Sequence, residues 1–339
     1  MRKRRLLLTL ASLLLSLAAF AAAPGYHLIN TWKLGGDGGW DYLAADSDAH
    51  RLYIARATRV MVVDLDSGKL ITEIADTPGV HGIAIDRAGG KGYISCGGDN
   101  TVSVFDLTSL KTITKIKVGQ RPDAILFDPA TNHVFTFNAG SQDSTVIDVT
   151  KGAVVGTIPL GGKPEFAATD LKGTVFVNME DKNSLYAIDA NKLTVKSKWP
   201  LPGCEEPSGL AIDRKNRRLF SGCEKIMAIT NADSGEQVAN APVGEGVDAA
   251  AYDDETGLAF ASAGEGKLTV VESKGGDHYA VVETPATQKG ARTMALDPKT
   301  HNIYLVTADF GPRPAATAEN QHPRPPVLPG SFVVLVMSK

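Results

Sequence analysis

Apolar stretches too short for helices, each closed by a polar turn, run the length of this sequence. The unit over 81–118 is representative: strand, turn, strand, loop, strand, turn, strand, at 81–86, 92–95, 101–107 and 112–118. No segment carries the apolar periodicity of an amphipathic helix. A turn-forming Asp follows a short apolar stretch at Asp46, Asp86, Asp128, Asp170, Asp213, Asp253 and Asp297, at spacings of 40, 42, 42, 43, 40 and 44. Seven residues after the Asp stands an aromatic residue, Tyr53, Tyr93, Phe135, Phe220, Phe260 or Tyr304, with Phe176 one position early. Two residues before it, Ala44, Ala84, Ala168, Ala211, Ala251 and Ala295 supply the small side chains that strands crowded round an axis require, Leu126 being the exception.

Four strands in a repeat of this length are one propeller blade, and seven repeats predict an all-β, seven-bladed β-propeller of four-stranded blades. The last unit has three strands, ending at 331–337, while a lone strand lies at 26–34. The N-terminal strand is therefore expected to close the last blade. WD and kelch signatures do not recur.

Ahead of the repeats, Arg2, Lys3, Arg4 and Arg5 precede an apolar run at 6–20 and then Ala21, Ala22 and Ala23. This pattern reads as a signal peptide over 1–23, with a single propeller over 24–339. The competing reading, an uncleaved anchor, meets an apolar run short of the roughly 20 residues a spanning helix needs. No later segment is long and apolar enough to span, so a periplasmic or secreted monomer is expected. Cleavage removes four of the 35 basic residues against 38 acidic ones, leaving a formal charge of −7. That charge disfavours nucleic acid, as do the positions of Lys111, Lys115, Lys117, Arg217 and Arg218 on outer strands and turns.

Of three cysteines, Cys204 lies in the loop entering blade five and Cys223 ends that blade's second strand, on a shared face. One reading is a Cys204–Cys223 disulfide with Cys96 free; the other is three buried thiols.

The stretch 91–106, Lys-Gly-Tyr-Ile-Ser-Cys-Gly-Gly-Asp-Asn-Thr-Val-Ser-Val-Phe-Asp, and the stretch 174–189, Thr-Val-Phe-Val-Asn-Met-Glu-Asp-Lys-Asn-Ser-Leu-Tyr-Ala-Ile-Asp, resemble the YVTN-type propeller repeat. The chain from residue 24 onward is similar throughout to YncE-like proteins. The resemblance implies an exported seven-bladed propeller, usually without an assigned reaction. Its relatives in shape include lactonases, streptogramin lyases and the haem d1 domain of nitrite reductases, and fold does not choose among their functions.

Aligning the repeats places Asp41, His81, Asp123, Glu165, Ser208, Asp248 and Arg292 at the start of the innermost strands, five residues before each turn Asp. This ring is expected to line one channel mouth and to bind ligand. Its carboxylates, Asp41, Asp123, Glu165 and Asp248, suit a divalent cation such as calcium, and His81 is the candidate general base. The bland alternative is a wet mouth where polar residues sit cheaply, Arg292 neutralising a neighbouring acid. Asn138 and Asn178 resemble lactonase metal ligands in position. His50, His133 and His301 fall in turns and read as structural, as do the seven turn Asp residues, which can bond their own backbone. There is no Cys-x-x-Cys-His haem attachment signal and no recurrent docking tryptophan, which argues against haem and quinone cofactors.

The segment 311–330 interrupts blade seven with six prolines and two arginines. It reads either as a flap across the ring-bearing face or as a disordered insertion. Two functions fit these residues. The first is a binding or scaffold propeller for a small ligand or periplasmic protein. The alternative is a metal-dependent, lactonase-like hydrolase or lyase built on Asp41, His81, Asp123, Glu165 and Asp248.

Overall fold

The computed structural model describes residues 25–317, 321 and 323–339, and the predicted signal peptide lies outside them. Seven antiparallel sheets of four strands each stand round one axis. In blade two the strands run outward as Val80–Asp86, Lys91–Cys96, Thr101–Asp106 and Thr112–Lys117, each bound within one residue of the predicted one. Thr101–Asp106 is buried along nearly its whole length because neighbouring blades cover both faces. Thr112–Lys117 is largely exposed, and its Lys115 and Lys117 put charge on an edge that would otherwise pair with other strands.

Blade seven combines Met294–Leu296, Ile303–Thr307 and Val333–Ser338 with the N-terminal strand His27–Lys33. Thr31 pairs with Leu335 and Lys33 with Val333, so the two ends of the fold close the ring together. Among the described residues the helical content is one three-residue turn, Glu180–Lys182, and no helix is long and apolar enough to cross a membrane.

The repeat residues are the core. All seven recurring aromatics are at most 2% exposed and pack between blades, as where Phe220 stacks on Tyr252 of the next blade at 5.3 Å. The turn aspartates cap their own turns, Asp86 accepting from the Gly89 amide at 2.8 Å and Asp297 from that of Lys299 at 3.0 Å. Six of the seven also reach the following blade. Asp128 accepts from Thr169 Oγ1 at 2.6 Å, Asp213 from the Tyr252 hydroxyl at 2.8 Å, and Asp253 meets His301 Nδ1 at 2.7 Å. Asp170 pairs with Arg217, Asp46 with Arg87, and Asp297 with Ser47 across the closing seam. One residue type thus ends the inner strand and, in six blades of seven, ties the blade to its neighbour, because its carboxylate has lone pairs left after capping.

Cys204 and Cys223 form a disulfide with a Cα–Cα distance of 5.3 Å, and Cys96 is free and buried.

Candidate functional site

Four ring residues sit where the pairing of first and second strands slips. The register shifts between Val80 and Ile83, Pro122 and Ile125, Pro164 and Ala167, and Val247 and Ala249, bracketing His81, Asp123, Glu165 and Asp248. A bulge re-aims a side chain that regular pleating would send into the blade. Asp41, Ser208 and Arg292 stand two residues before the inner strands of their blades.

The structure gathers Asp41, His81 and Asp123 from blades one to three, with one ligating atom from each lying within 4.8 Å of the others. His81 Nδ1 is 2.5 Å from Asp41 Oδ2 and 3.6 Å from Asp123 Oδ1. Gly97 leaves room for this imidazole, since a Cβ there would stand 3.2 Å from its Cδ2 and Nε2. Burial works against a charged ring at this place. The hydrogen bond to Asp41 and the charges of Asp123, Asp41 and Glu165 outweigh it and raise His81 to about 9. At neutral pH the ring is therefore an imidazolium donating to Asp41 with Asp123 close by, and it becomes a base only when a cation or ligand displaces that proton.

The remaining carboxylates are engaged separately. Glu165 Oε1 meets Lys163 Nζ at 2.7 Å, and Lys163 also pairs with Glu180. Burial, with the charge of Asp123, still raises Glu165 to about 8. Burial likewise lifts Asp123 to about 6, against the pull of His81. Asp248 accepts from Ser208 Oγ at 3.1 Å and pairs with Arg292 Nε at 3.2 Å, and burial raises it too.

Next to the ring two aromatics from opposite sides of the propeller meet. Tyr42 of blade one is 5% exposed and meets Phe166 of blade four edge-on, with ring centroids 4.9 Å apart. Its hydroxyl donates to Glu165 Oε2 at 3.4 Å. Burial first, then the charges of Asp248, Glu165, Asp123 and Asp41, keep this phenol protonated well above its ordinary range. The ring thus forms the rim, and the Tyr42–Phe166 pair the floor, of a bowl at this mouth.

No family model matches the chain, and no curated protein does. Among solved structures it is similar to a chain of Kuenenia stuttgartiensis hydrazine synthase, at 17% identity and a TM-score of 0.69, over 80% of this chain and 94% of that one. The likeness is one of fold. A β-propeller is consistent with a binding or scaffold module, and the chemistry here has to be read from the bowl itself.

That bowl offers donors from His81, Lys163 and Arg292 opposite acceptors from Asp41, Asp123 and Asp248, an arrangement that suits a polar ligand or a cation. Asn138 and Asn178 take no part in it. Asn138 donates to Asp143 and Thr145 within its blade, while Asn178 donates to the carbonyls of Ser208 and Gly209 and accepts from Ser221. Asn178, Ser95 and Ser262 instead hold the backbone of the next blade's ring residue, through the carbonyls of Ser208, Asp123 and Arg292.

Tyr42, Phe166 and Lys163 escaped the sequence reading, although a signal for the first two exists. The position after each ring residue reads Tyr42, Gly82, Ala124, Phe166, Gly209, Ala249 and Thr293. Two aromatics among small residues at one repeat position are that signal. The 311–330 segment is anchored at its base by a bridge between Phe310 and Val327, and its described arms border a cleft with Trp40 and Arg292.

Proposed function

We propose that this chain is an exported propeller of the YncE-like, YVTN-repeat kind that binds a small ligand or a periplasmic protein partner in the bowl at the ring-bearing mouth. The observation that carries the reading is the contact of Tyr42 with Phe166. An open channel would let polar residues line a conduit, whereas a bowl floored by this pair presents charged groups of both signs to whatever fills it. The leader-like pattern over 1–23 and the Cys204–Cys223 disulfide, which suits an oxidising compartment, support export.

The test is a thermal-shift screen of small polar metabolites on the wild type beside an Asp41→Asn, Asp123→Asn double variant. Compounds that raise the midpoint of the wild type but not the variant support the bowl. Hits that act equally on both overturn it.

A second reading rests on the Asp41, His81 and Asp123 cluster, where a divalent cation would replace the imidazole proton. Two carboxylates and one imidazole favour a transition ion such as zinc or manganese over calcium, which takes oxygen ligands. Such an ion could polarise a cyclic ester for lactonase-like hydrolysis. Metal analysis of protein purified without chelator tests it. A stoichiometric ion lost in Asp123→Asn supports this reading, and metal-free folded protein after dialysis against zinc and manganese counts against it.

A further inference from the structure

Beside the bowl, at the seam between blades seven and one, lies a cavity of about 670 Å³. Its wall is aromatic, with Trp40 and Phe310 half-buried and their ring centroids 6.1 Å apart. Gly290 makes the recess possible, since a Cβ there would stand 2.7 Å from the Phe310 ring. Its rim is cationic: Lys289, Arg292, Arg313 and Arg324 line it, and among the described residues no acidic one does. In a chain with 38 acidic and 35 basic residues, four cations without an acid among them run against composition.

Three of these four charges are not spent on the protein. Among the described residues, Lys289, Arg313 and Arg324 make no ion pair, and Arg292 meets Asp248 most closely through Nε, with no hydrogen bond from its terminal nitrogens. The arms of the flap are tied by hydrogen bonds from the Gly311 amide to the Pro326 carbonyl and from Leu328 to Asp309, each 2.8 Å. Arg313 and Arg324 therefore approach the cleft from opposite arms. Like charges gathered in this way repel unless an anion lies between them, and guanidinium forks match carboxylate and phosphate oxygens.

We infer that this cleft binds a small organic anion bearing at least two carboxylate or phosphate charges on a flat apolar body, the body lying against Trp40 and Phe310 and the charges between the flap arginines and Lys289. The cleft shares Arg292 alone with the ring, so the inference goes beyond the bowl reading and is tested apart from it.

Calorimetric titration of the purified protein with naphthalene-2,6-dicarboxylate is the test, with naphthalene-2,6-dimethanol and inorganic pyrophosphate as comparisons. The dicarboxylate should bind once per chain, the neutral diol should not, and pyrophosphate should bind about tenfold more weakly or worse. An Arg313→Ala, Arg324→Ala double variant replaces exposed side chains and should fold normally, yet lose about tenfold or more in affinity. The Asp41→Asn, Asp123→Asn variant should keep the binding. No dicarboxylate binding at millimolar concentration, equal binding of the diol, or full affinity in the arginine variant each overturns the inference. Pyrophosphate binding as tightly as the dicarboxylate removes the role of the aromatic wall, and loss of binding in the aspartate variant moves the probe to the bowl.

Discussion

Tyr42 in blade one and Phe166 in blade four meet across the propeller axis with their rings 4.9 Å apart. The contact joins blades far apart in sequence, where the intervening blades contribute Gly82 and Ala124 at the same level. Tyr42→Ala leaves a cavity on the axis that the stiff ring of blades cannot collapse, and should cost about 3–5 kcal/mol. Tyr42→Phe keeps the ring contact and gives up one long hydrogen bond, costing less than about 1.5 kcal/mol. Equilibrium urea unfolding checks both. An alanine variant within about 1 kcal/mol of wild type would show that the pair does not bear on packing.

The pH dependence follows from the buried carboxyls. Glu165, ordinarily near 4.5, is raised to about 8, and Asp123, ordinarily near 3.8, to about 6. Between the ordinary and raised values the native state holds protons that the unfolded chain has released, so stability is lost as pH rises through that window. The raised imidazole of His81 acts in the same direction between 6.5 and about 9. The melting midpoint should therefore fall from pH 5 to pH 9, and Glu165→Gln should flatten part of the fall. A midpoint that climbs over this range contradicts the buried proton store.

How far this molecule could be read from its sequence depends on what each feature answers to. The aspartates and aromatics of the repeat were legible because each solves a local problem, a turn or an inner packing position, seven times over. That Asp253 also grips His301 was not, since the partner comes from another blade and from a turn of different sequence. The ring positions could be listed by alignment. Their grouping into Asp41, His81 and Asp123, with Glu165 tied to Lys163 and Asp248 to Arg292, depends on bulges that no local sequence pattern announces.

The three cysteines should separate cleanly by chemistry. Cys96 is buried, which lifts its thiol to about 11, and it should resist iodoacetamide in the native protein. Mass spectrometry should find no adduct under native conditions, one in denaturant without reductant, and three after reduction. A Cys204→Ser, Cys223→Ser variant loses a link across a separation of 19 residues and should be less stable by about 3 kcal/mol. Three adducts without reductant would mean that the pair is not bonded.

Arg56 is the largest fully buried side chain and lies with its guanidinium carbon 3.8 Å from the centre of the Phe332 ring. Instead of a carboxylate, it meets the loop before blade one, donating to the carbonyls of Gly35, Gly36, Asp37, Gly38 and Gly39. Gly35, Gly36 and Gly38 have positive φ, so the loop owes its shape to backbone freedom and its order chiefly to this cation, with Arg59 donating to the Asp37 carbonyl as well. The loop leads directly into Trp40 and Asp41, which places Arg56 as a positioning residue for both the cleft and the bowl. Arg56→Met fills the same space but strands these carbonyls, and should cost about 3 kcal/mol or more. Limited proteolysis should then cut within 35–39 while the blades stay intact, and naphthalene-2,6-dicarboxylate affinity should fall. Arg56→Lys restores the charge without the fork and should recover only part of the protection, because an ammonium cannot span five carbonyls. A methionine variant with unchanged cleavage and unchanged stability would mean that the glycine loop holds its shape alone.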